Sequence, residues 1–238
     1  MRASGRDRMD VAAAAARDNA AWCGIVCRLH GIEGVFGGDA WTSPVRTPEH
    51  YPDAVTLRRS VDAASLLSRI DPSRGCSIKD SFADLDLVPW GFGPLFEAFW
   101  IVRPAGAVAP SPGSLTWERV TDGAVLAAWT AARTGDPGAG HGFPPQILER
   151  TDVIVLAGMS AERIVAGAIL SLGTAVVGIS NLFVVDADAT EAFAGVAAAT
   201  ALRFPGRDLV GYEAGETLDA AECAGFRRAG RLVVWLRR

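Results

Sequence analysis

An apolar segment from Ala175 to Val185 constrains the fold of this chain more than any other stretch. It is rich in Val and Ile and stops at Asp186; the residues that interrupt it are Gly178, Ser180 and Asn181. A continuous apolar run of this length is typical of a strand that is covered on both faces. We therefore expect this segment to be a central strand of a sheet.

An alanine-rich helix is expected directly after this strand. Asp186, Asp188 and Thr190 are residue types that cap helices at their amino ends. The sequence predicts a helix over Thr190–Arg203, which Phe204-Pro205-Gly206 would end. Its expected apolar face consists of Phe193, Val196 and Leu202. A buried strand that leads into a helix indicates the α/β class, in which helix N-terminal amides often hold an anionic cofactor.

Composition limits the classes of partner. The chain has 238 residues, half of them hydrophobic, which is enough for one large or two small domains. Its net charge is −4 and its isoelectric point is near 5.4. Nucleic-acid-binding proteins carry a basic stripe, so we expect no nucleic-acid partner.

The expected compartment is the cytoplasm. Cys23, Cys27, Cys76 and Cys223 are few and widely spaced, so they do not suggest a disulfide framework. The apolar stretch Val11–Ala16 is too short for a secretory core. No run reaches the roughly 20 apolar residues of a membrane span, so no membrane partner is expected.

The stretch Ala105–Ser114, rich in Ala, Pro and Gly, is the expected linker between two domains, 1–104 and 115–238. The first domain opens with a predicted helix over Asp10–Leu29. The elements predicted in the second domain are, in order, strand 115–120, helix 122–133 with Val125, Leu126 and Trp129 inward, strands 152–157, 163–170 and 175–185, helix 190–203, strand 208–212, helix 217–224 and a strand pair that ends at Trp235.

Two groups of polar residues in the first domain have both a functional and a structural interpretation. Cys23, Cys27 and His30 share one face of the first helix; a metal site usually needs a fourth ligand, so we predict a packing face and no metal. Alternation predicts a strand over Cys76–Leu87 that places Lys79 among several aspartates. Asp80, Asp84 and Asp86 form either a carboxylate cluster or, as we favour, a solvated strand face.

The polar loop Gly31–Tyr51 also has two interpretations. It contains Asp39, Trp41, Glu49 and His50, which either line a substrate pocket or belong to a cover whose aromatic rings close one edge of the core. We favour the cover slightly.

The order of elements in residues 115–238 resembles the GCN5-related N-acetyltransferase (GNAT) fold, a mixed central sheet flanked by helices. Residues 218–226, L-D-A-A-E-C-A-G-F, are similar to the family's terminal helix-turn-strand motif, with Glu222, Gly225 and Phe226 at matching places. Trp90-Gly91-Phe92 leads into an earlier apolar strand in a similar way. This similarity suggests a tandem of two GNAT-like units, of which the first half of the chain is a degenerate copy.

The resemblance implies transfer of an acetyl group from acetyl-CoA to the amine of an unidentified small molecule. It implies that the backbone of Asn181, Leu182, Phe183 and Val184 holds the cofactor's thioester arm. The candidate bases are Glu213, Tyr212, Glu97 and His141, and the candidate acceptor-binding residues are Trp41 and Glu97. Tyr212 is alternatively a core residue, and Asn181 either ties neighbouring strands or faces a ligand cleft.

Three departures from the family pattern support a second hypothesis, a non-catalytic binding or regulatory protein for a small molecule or protein. Where the family has a glycine-rich diphosphate loop, residues 185–191 have no glycine and three carboxylates. The tyrosine that often serves as general acid in the family corresponds to Ala221. The asparagine that the family often has before the same helix corresponds to a position near Ala214. A homodimer through the alanine-rich helices is compatible with both hypotheses.

Overall fold

The computed structural model describes residues 10–108, 113–136 and 142–238. Within these residues it has five α-helices and eleven strands. The helices are α1 (Val11–Leu29), α2 (Ala63–Leu67), α3 (Gly123–Thr134), α4 (Ala189–Arg203) and α5 (Gly215–Cys223). The strands are β1 (Val35–Phe36), β2 (Ala40–Thr42), β3 (Ala54–Thr56), β4 (Ser77–Asp80), β5 (Phe92–Arg103), β6 (Thr116–Arg119), β7 (Val153–Ser160), β8 (Arg163–Leu172), β9 (Val176–Val184), β10 (Asp208–Glu213) and β11 (Arg227–Arg237).

All the strands form one mixed sheet in the order β1-β2-β3-β4-β11-β5-β10-β9-β8-β7-β6. The order is nearly symmetric about the β5–β11 pair. On one side β5 pairs antiparallel with β10, which is parallel to β9. On the other side β11 pairs antiparallel with β4, which is parallel to β3. β5 is the last strand of the first half and β11 is the last strand of the second half. These two strands therefore lie side by side near the centre of the sheet.

Helices cover both faces of the half of the sheet that contains β7 to β10. On one face, Phe193 and Val196 of α4 and Leu218 of α5 join a core cluster with the sheet residues Leu156 and Leu170. On the other face, Trp22 of α1 and Trp129 of α3 pack with a second set of sheet residues, among them Val153, Val155 and Ile169. The strand that the apolar run predicts is present as β9, in which residues 176–179 are buried and residues 180–184 are half-buried. The α/β class is confirmed.

Aspartate caps fix the starts of three helices where the sequence predicted them. The Asp10 carboxylate accepts from the amides of Ala12 and Ala13 at the start of α1. Asp122 accepts in the same way at the start of α3. Asp188 accepts from the Glu191 amide at 2.8 Å at the start of α4. Each bond satisfies a first-turn amide that has no partner inside the helix.

Burial differs from the prediction at three positions. Leu202, predicted on the apolar face of α4, is 84% exposed, and Val125 of α3 is 38% exposed. Asp80, predicted on a solvated strand face, is fully buried, where its carboxylate accepts from the amides of Phe82 and Leu85. The predicted strand over 76–87 ends at Asp80 because these two bonds turn the chain away from the sheet.

The C-terminal end of the chain also differs from the prediction. A single strand, β11, stands where a strand pair was expected, and it bends at register shifts instead of turning back. Part of the predicted linker, residues 109–112, lies outside the described residues. The division into domains at that linker stays a prediction, although β5 of the first half lies in the sheet between β10 and β11 of the second. No helix in the described part of the chain is long and apolar enough to cross a membrane.

One buried carboxyl group makes the stability of this fold depend on pH. Asp18 of α1 is 7% exposed and accepts from the Ser171 hydroxyl at 2.8 Å. It lies so close to β9 that a Cβ on Gly178 would be 1.8 Å from its Oδ2. Burial raises the pKa of Asp18 from 3.8 to about 7, although the Ser171 hydrogen bond opposes the rise. The folded state therefore favours the protonated acid.

We expect Asp18→Asn to change the pH dependence of stability. In the native protein the free energy of unfolding falls as pH rises from 3.8 to about 7, because the unfolded chain releases the Asp18 proton first. The amide that replaces this carboxyl group cannot ionise, so the variant lacks this loss of stability. The difference in free energy of unfolding, variant minus native, should therefore be on the order of 4 kcal/mol larger at pH 8 than at pH 4. Urea unfolding at both pH values measures this; parallel pH profiles for the two proteins would contradict it.

Candidate functional site

The strands β9 and β10 separate partway along their length. They pair in parallel only from Val176–Asp208 to Gly178–Val210. Beyond that point β10 continues beside β5, and β9 continues beside β8. Gly211 lies at the point of separation, where a Cβ would be 2.8 Å from Ile179 Cγ2 and 3.0 Å from the Ile179 carbonyl oxygen. The backbones can approach this closely before they diverge only because residue 211 has no side chain.

A β-bulge in β9 sets the direction of the divergence. The register with β8 passes from Gly167–Phe183 to Ile169–Ser180, so Asn181 and Leu182 share a single opposing residue. Asn181 has a φ of 51°, in the left-handed region that asparagine tolerates better than most residues. Bulges of this kind bend a strand and redirect its side chains. Here the bulge brings Asn181 and Leu182 to the wall of a cavity.

The cavity occupies about 470 Å³ next to the separated strands. Its sheet wall includes Ser180 on β9 and Tyr212 and Glu213 on β10. Facing walls come from α1, from the segment 48–52 of the first half and from Phe143. The volume is in the range of small-molecule sites, which are about 300–1,000 Å³. Both halves of the chain therefore contribute to one candidate site.

Glu213 is the carboxylic acid at the end of β10, on the cavity wall. The Thr217 hydroxyl donates to its Oε2 at 2.8 Å. Burial raises the pKa of Glu213 from 4.5 to about 7, and the Thr217 hydrogen bond opposes the rise. A carboxyl group whose pKa lies near neutrality is suited to accept and return protons at physiological pH.

Lys79 of β4 places an ammonium group in the same cavity. The residue is 3% exposed. Its Nζ donates to Asn19 Oδ1 at 2.8 Å and lies 3.9 Å from the centroid of the Tyr212 ring. Within the described part of the chain, no carboxylate oxygen lies within 4.0 Å of this ammonium. The cavity therefore contains a buried cation without an ion-pair partner among those residues.

Tyr51 of the first half and Asn181 of the second half both line the cavity. Burial raises the pKa of the Tyr51 hydroxyl, and its hydrogen bond with Asn181 opposes the rise, so the hydroxyl is protonated at neutral pH. Asn181 Nδ2 also donates to Ser180 Oγ at 3.2 Å. Asn181 thus lines the cavity, and the two roles that the sequence left open for it stay predictions.

The structure brings together some of the predicted site residues and separates others. Asn181, Leu182, Tyr212 and Glu213 line the cavity together. The remaining candidates within the described residues do not line it: Phe183 packs against Trp129, Val184 pairs with Ala166, Trp41 is fully buried behind the cavity wall, and Glu97 is exposed and ion-paired with Arg231. His141 lies outside the described residues. The roles assigned to all these residues stay predictions.

Sequence reasoning missed Lys79 as a cavity residue. It treated this residue as one charge among aspartates on an exposed strand face. The sequence does contain one signal, because Lys79 is the only lysine in the chain. The loop 31–51 both closes the core, through the buried Trp41, and lines the cavity, through Glu49, His50 and Tyr51. Cys23 and Cys27 are buried in α1, and no group of potential metal ligands occurs among the described residues.

The amino end of α4 is occupied by acidic side chains. Asp188 caps the helix, and the Glu191 carboxylate accepts from the amides of Ser114 and Leu115. Asp186 has a φ of 54°. The carboxylates of Asp188 and Glu191 thus take up donors near the first turn of α4 and place negative charge where a helix would otherwise attract an anion.

No protein-family model matches this sequence, and no curated protein matches it. Solved structures match its fold along most of its length. A GCN5-related N-acetyltransferase from Kribbella flavida is 17% identical, with a TM-score of 0.64 over 94% of this chain and 95% of that one. Another, from Sphaerobacter thermophilus, is 14% identical, with a TM-score of 0.51 over 94% of this chain and 92% of that one. A GCN5-related N-acetyltransferase-like protein from Streptococcus suis is 13% identical, with a TM-score of 0.50 over 85% of this chain and 82% of that one.

These likenesses define the class of fold. The chain is an α/β protein whose central sheet opens between two parallel strands beside a small-molecule cavity. That fold is the GNAT fold, and the expected resemblance is confirmed at this level. Fold alone does not establish the reaction, because one fold supports many activities.

The strain at the bulge is testable with a pair of variants. Asn181→Ala and Asn181→Gly both remove the side-chain amide, but only alanine keeps a Cβ at a φ of 51°. The left-handed conformation costs a non-glycine residue about 1–2 kcal/mol, and the greater freedom of glycine in the unfolded chain offsets part of this. We expect the alanine variant to be about 1 kcal/mol less stable than the glycine variant in urea unfolding. Equal stability would mean that residue 181 is not left-handed in solution.

Proposed function

We propose that the protein is an N-acyltransferase that acetylates the amine of a small acceptor bound in the cavity. The observation that carries the proposal is the position of Glu213. It lies on the cavity wall, beside the separated strands, and burial raises its pKa to about 7. An amine must lose its proton before it can attack an acyl carbon, and a positioned carboxylate near its own pKa can accept that proton.

The residues present fit the two ends of acetyl-CoA differently. Beyond Gly178 the backbone of β9 is no longer paired with β10, so Asn181 and Leu182 would hold the thioester arm in that gap. Acetyl-CoA, when bound, supplies the acetyl group as an activated thioester. At the amino end of α4, by contrast, the carboxylates of Asp188 and Glu191 oppose a diphosphate. We infer that any cofactor affinity comes mainly from the acyl end.

The chain's own groups then have distinct tasks. Glu213 accepts the acceptor's ammonium proton, and the Thr217 hydroxyl keeps its carboxylate oriented toward the end of β10. Trp22 and Phe143 provide apolar surface on the cavity wall for the acceptor. Glu213 is also suited to return the proton that it accepted, since its pKa is near neutrality, and the CoA sulfur would take it as the thioester C–S bond breaks. The second proton that the amine loses when the amide C–N bond forms would pass to solvent.

The acidic residues at α4 favour one second candidate, a non-catalytic protein that binds a ligand in the same cavity. In that case the cavity functions without a cofactor, and Asp188 and Glu191 serve only to fix the start of the helix and the segment that enters β6.

Calorimetric titration with acetyl-CoA, with free CoA as the comparison, decides between the two candidates. We expect acetyl-CoA to bind with a dissociation constant in the micromolar range and free CoA to bind more weakly, because free CoA has the same pantetheine arm but lacks the acetyl group. Absence of heat at millimolar cofactor would contradict the acyltransferase proposal and leave the ligand-binding protein.

Glu213→Gln tests the assigned base. We expect the rate of acetyl transfer to fall by about a hundredfold or more, because general-base catalysis contributes on that order. In the native protein the rate should rise with pH and level off above about 7, where Glu213 is ionised, and the variant should lose this rise. The assay is CoA release from pH 5.5 to 9 with a panel of small amines.

Glu222→Gln is the matched control. Glu222 pairs with Arg228 on the surface of α5 and does not line the cavity, so its substitution should leave both the rate and the pH profile unchanged. An unchanged pH profile in Glu213→Gln would assign the base to another residue.

A further inference from the structure

The only lysine of the chain is buried in the cavity, and its ammonium has spare hydrogen-bonding capacity. An ammonium carries three N–H donors. For Lys79, Asn19 Oδ1 accepts one of them at 2.8 Å, and the Tyr212 ring lies 3.9 Å from Nζ, where it takes a second. Within the described residues, the third donor has no protein acceptor. One donor is therefore available to a ligand in the cavity.

The surrounding residues do not balance the charge of Lys79. Within the part of the chain that the structure describes, no carboxylate forms an ion pair with it. Cys23, the neighbouring thiol, stays protonated, because burial raises its pKa to about 11 even though Lys79 opposes the rise. A buried cation without a partner is costly, so a site that keeps one usually uses it.

We propose that Lys79 binds a carboxylate of the acceptor, and that the acceptor is an amine of amino-acid size. The identification of the ligand as an acetyl acceptor rests on the proposed function. The carboxylate-binding site itself depends only on the cavity. Tyr212, which contacts Lys79, directly precedes Glu213 in β10. Lys79 and Glu213 line the same cavity, so an acceptor that carries both a carboxylate and an amine can reach the two of them.

The rest of the cavity favours a carboxylate over a phosphate. Glu49, Glu213 and Arg133 also line it, and the two carboxylates oppose a dianion more than a monoanion. Trp22, Val26 and Phe143 form an apolar part of the wall, which suits a hydrocarbon side chain. Asn19, whose Oδ1 accepts from Lys79, has an Nδ2 group that can donate to the second carboxylate oxygen.

Lys79 can be observed directly, because protein labelled with ¹³Cε-lysine gives a single side-chain NMR signal. The probes are propanoate, hexanoate and 3-phenylpropanoate, each with its uncharged amide. We expect at least one acid to shift the Lys79 signal in a saturable way below 10-millimolar concentration (on the order of the weak affinities of small ligands), and its amide to shift it at least tenfold more weakly. No saturable shift with any acid, or equal shifts with acids and amides, overturns the proposal.

Lys79→Met provides the second test, with calorimetry as the readout. We expect it to weaken binding of the best acid at least tenfold. Methionine fills the same volume without a buried charge, so the variant should melt at or above the native temperature, which excludes unfolding as the cause. Arg58→Met is the matched control, since it removes one positive charge from an exposed position outside the cavity. Equal loss of binding in both variants, or none in Lys79→Met, overturns the proposal.

Acetyl transfer to L-phenylalanine and to phenylethylamine separates this inference from the proposed function. Transfer to neither, with acids bound at Lys79, contradicts the acyltransferase and leaves the carboxylate site standing. Equal transfer to both, with no acid bound, contradicts the carboxylate site and leaves the acyltransferase standing. We expect transfer to phenylalanine to exceed transfer to phenylethylamine at least tenfold, and Lys79→Met to abolish the difference.

Discussion

The antiparallel pairing of β5 with β11 is the constraint on which the rest of the structure depends. The two strands pair from Val102–Arg227 to Phe92–Arg237, and each also pairs with a strand of the opposite half. Arg103, at the end of β5, is buried and donates to the Ala224 carbonyl and, through its other terminal nitrogen, to that of Val108. Gly225 permits this contact, since a Cβ there would lie 2.4 Å from Arg103 Nη1. Through these bonds the two halves share one continuous sheet, which brings Lys79 of β4 and Tyr212 of β10 to one cavity.

Features that depend on local chemistry were predictable from the sequence. The caps Asp10, Asp122 and Asp188 act within a few residues of themselves, so the starts of α1, α3 and α4 follow from the chain alone. The run 175–185 predicts β9 because burial on both faces requires a continuous apolar strand. The order of elements in the second half is likewise a local property, and it was sufficient to identify the fold.

Features that depend on distant partners were not predictable. Asp80 belongs to an alternating segment typical of an exposed strand, yet its carboxylate is buried where it bonds the amides of the following turn. Lys79 has no sequence neighbour that explains its burial, because Asn19 and Tyr212 come from α1 and β10. The bulge at Asn181 was visible only as a polar residue in an apolar run, and the register with β8 determines which way it points.

The gap between β9 and β10 and the acidic amino end of α4 have separable physical origins. Backbone geometry opens the gap between β9 and β10: the bulge at Asn181 and the missing side chain at Gly211 produce it whatever the neighbouring charges are. A diphosphate cradle instead depends on free amides and neutral residues at the start of α4, where this chain has Asp188 and Glu191. Substitutions at the start of α4 therefore leave the gap and the cavity intact. The lysine and the arginine that line the cavity, Lys79 and Arg133, come from β4 and α3 and not from the start of α4.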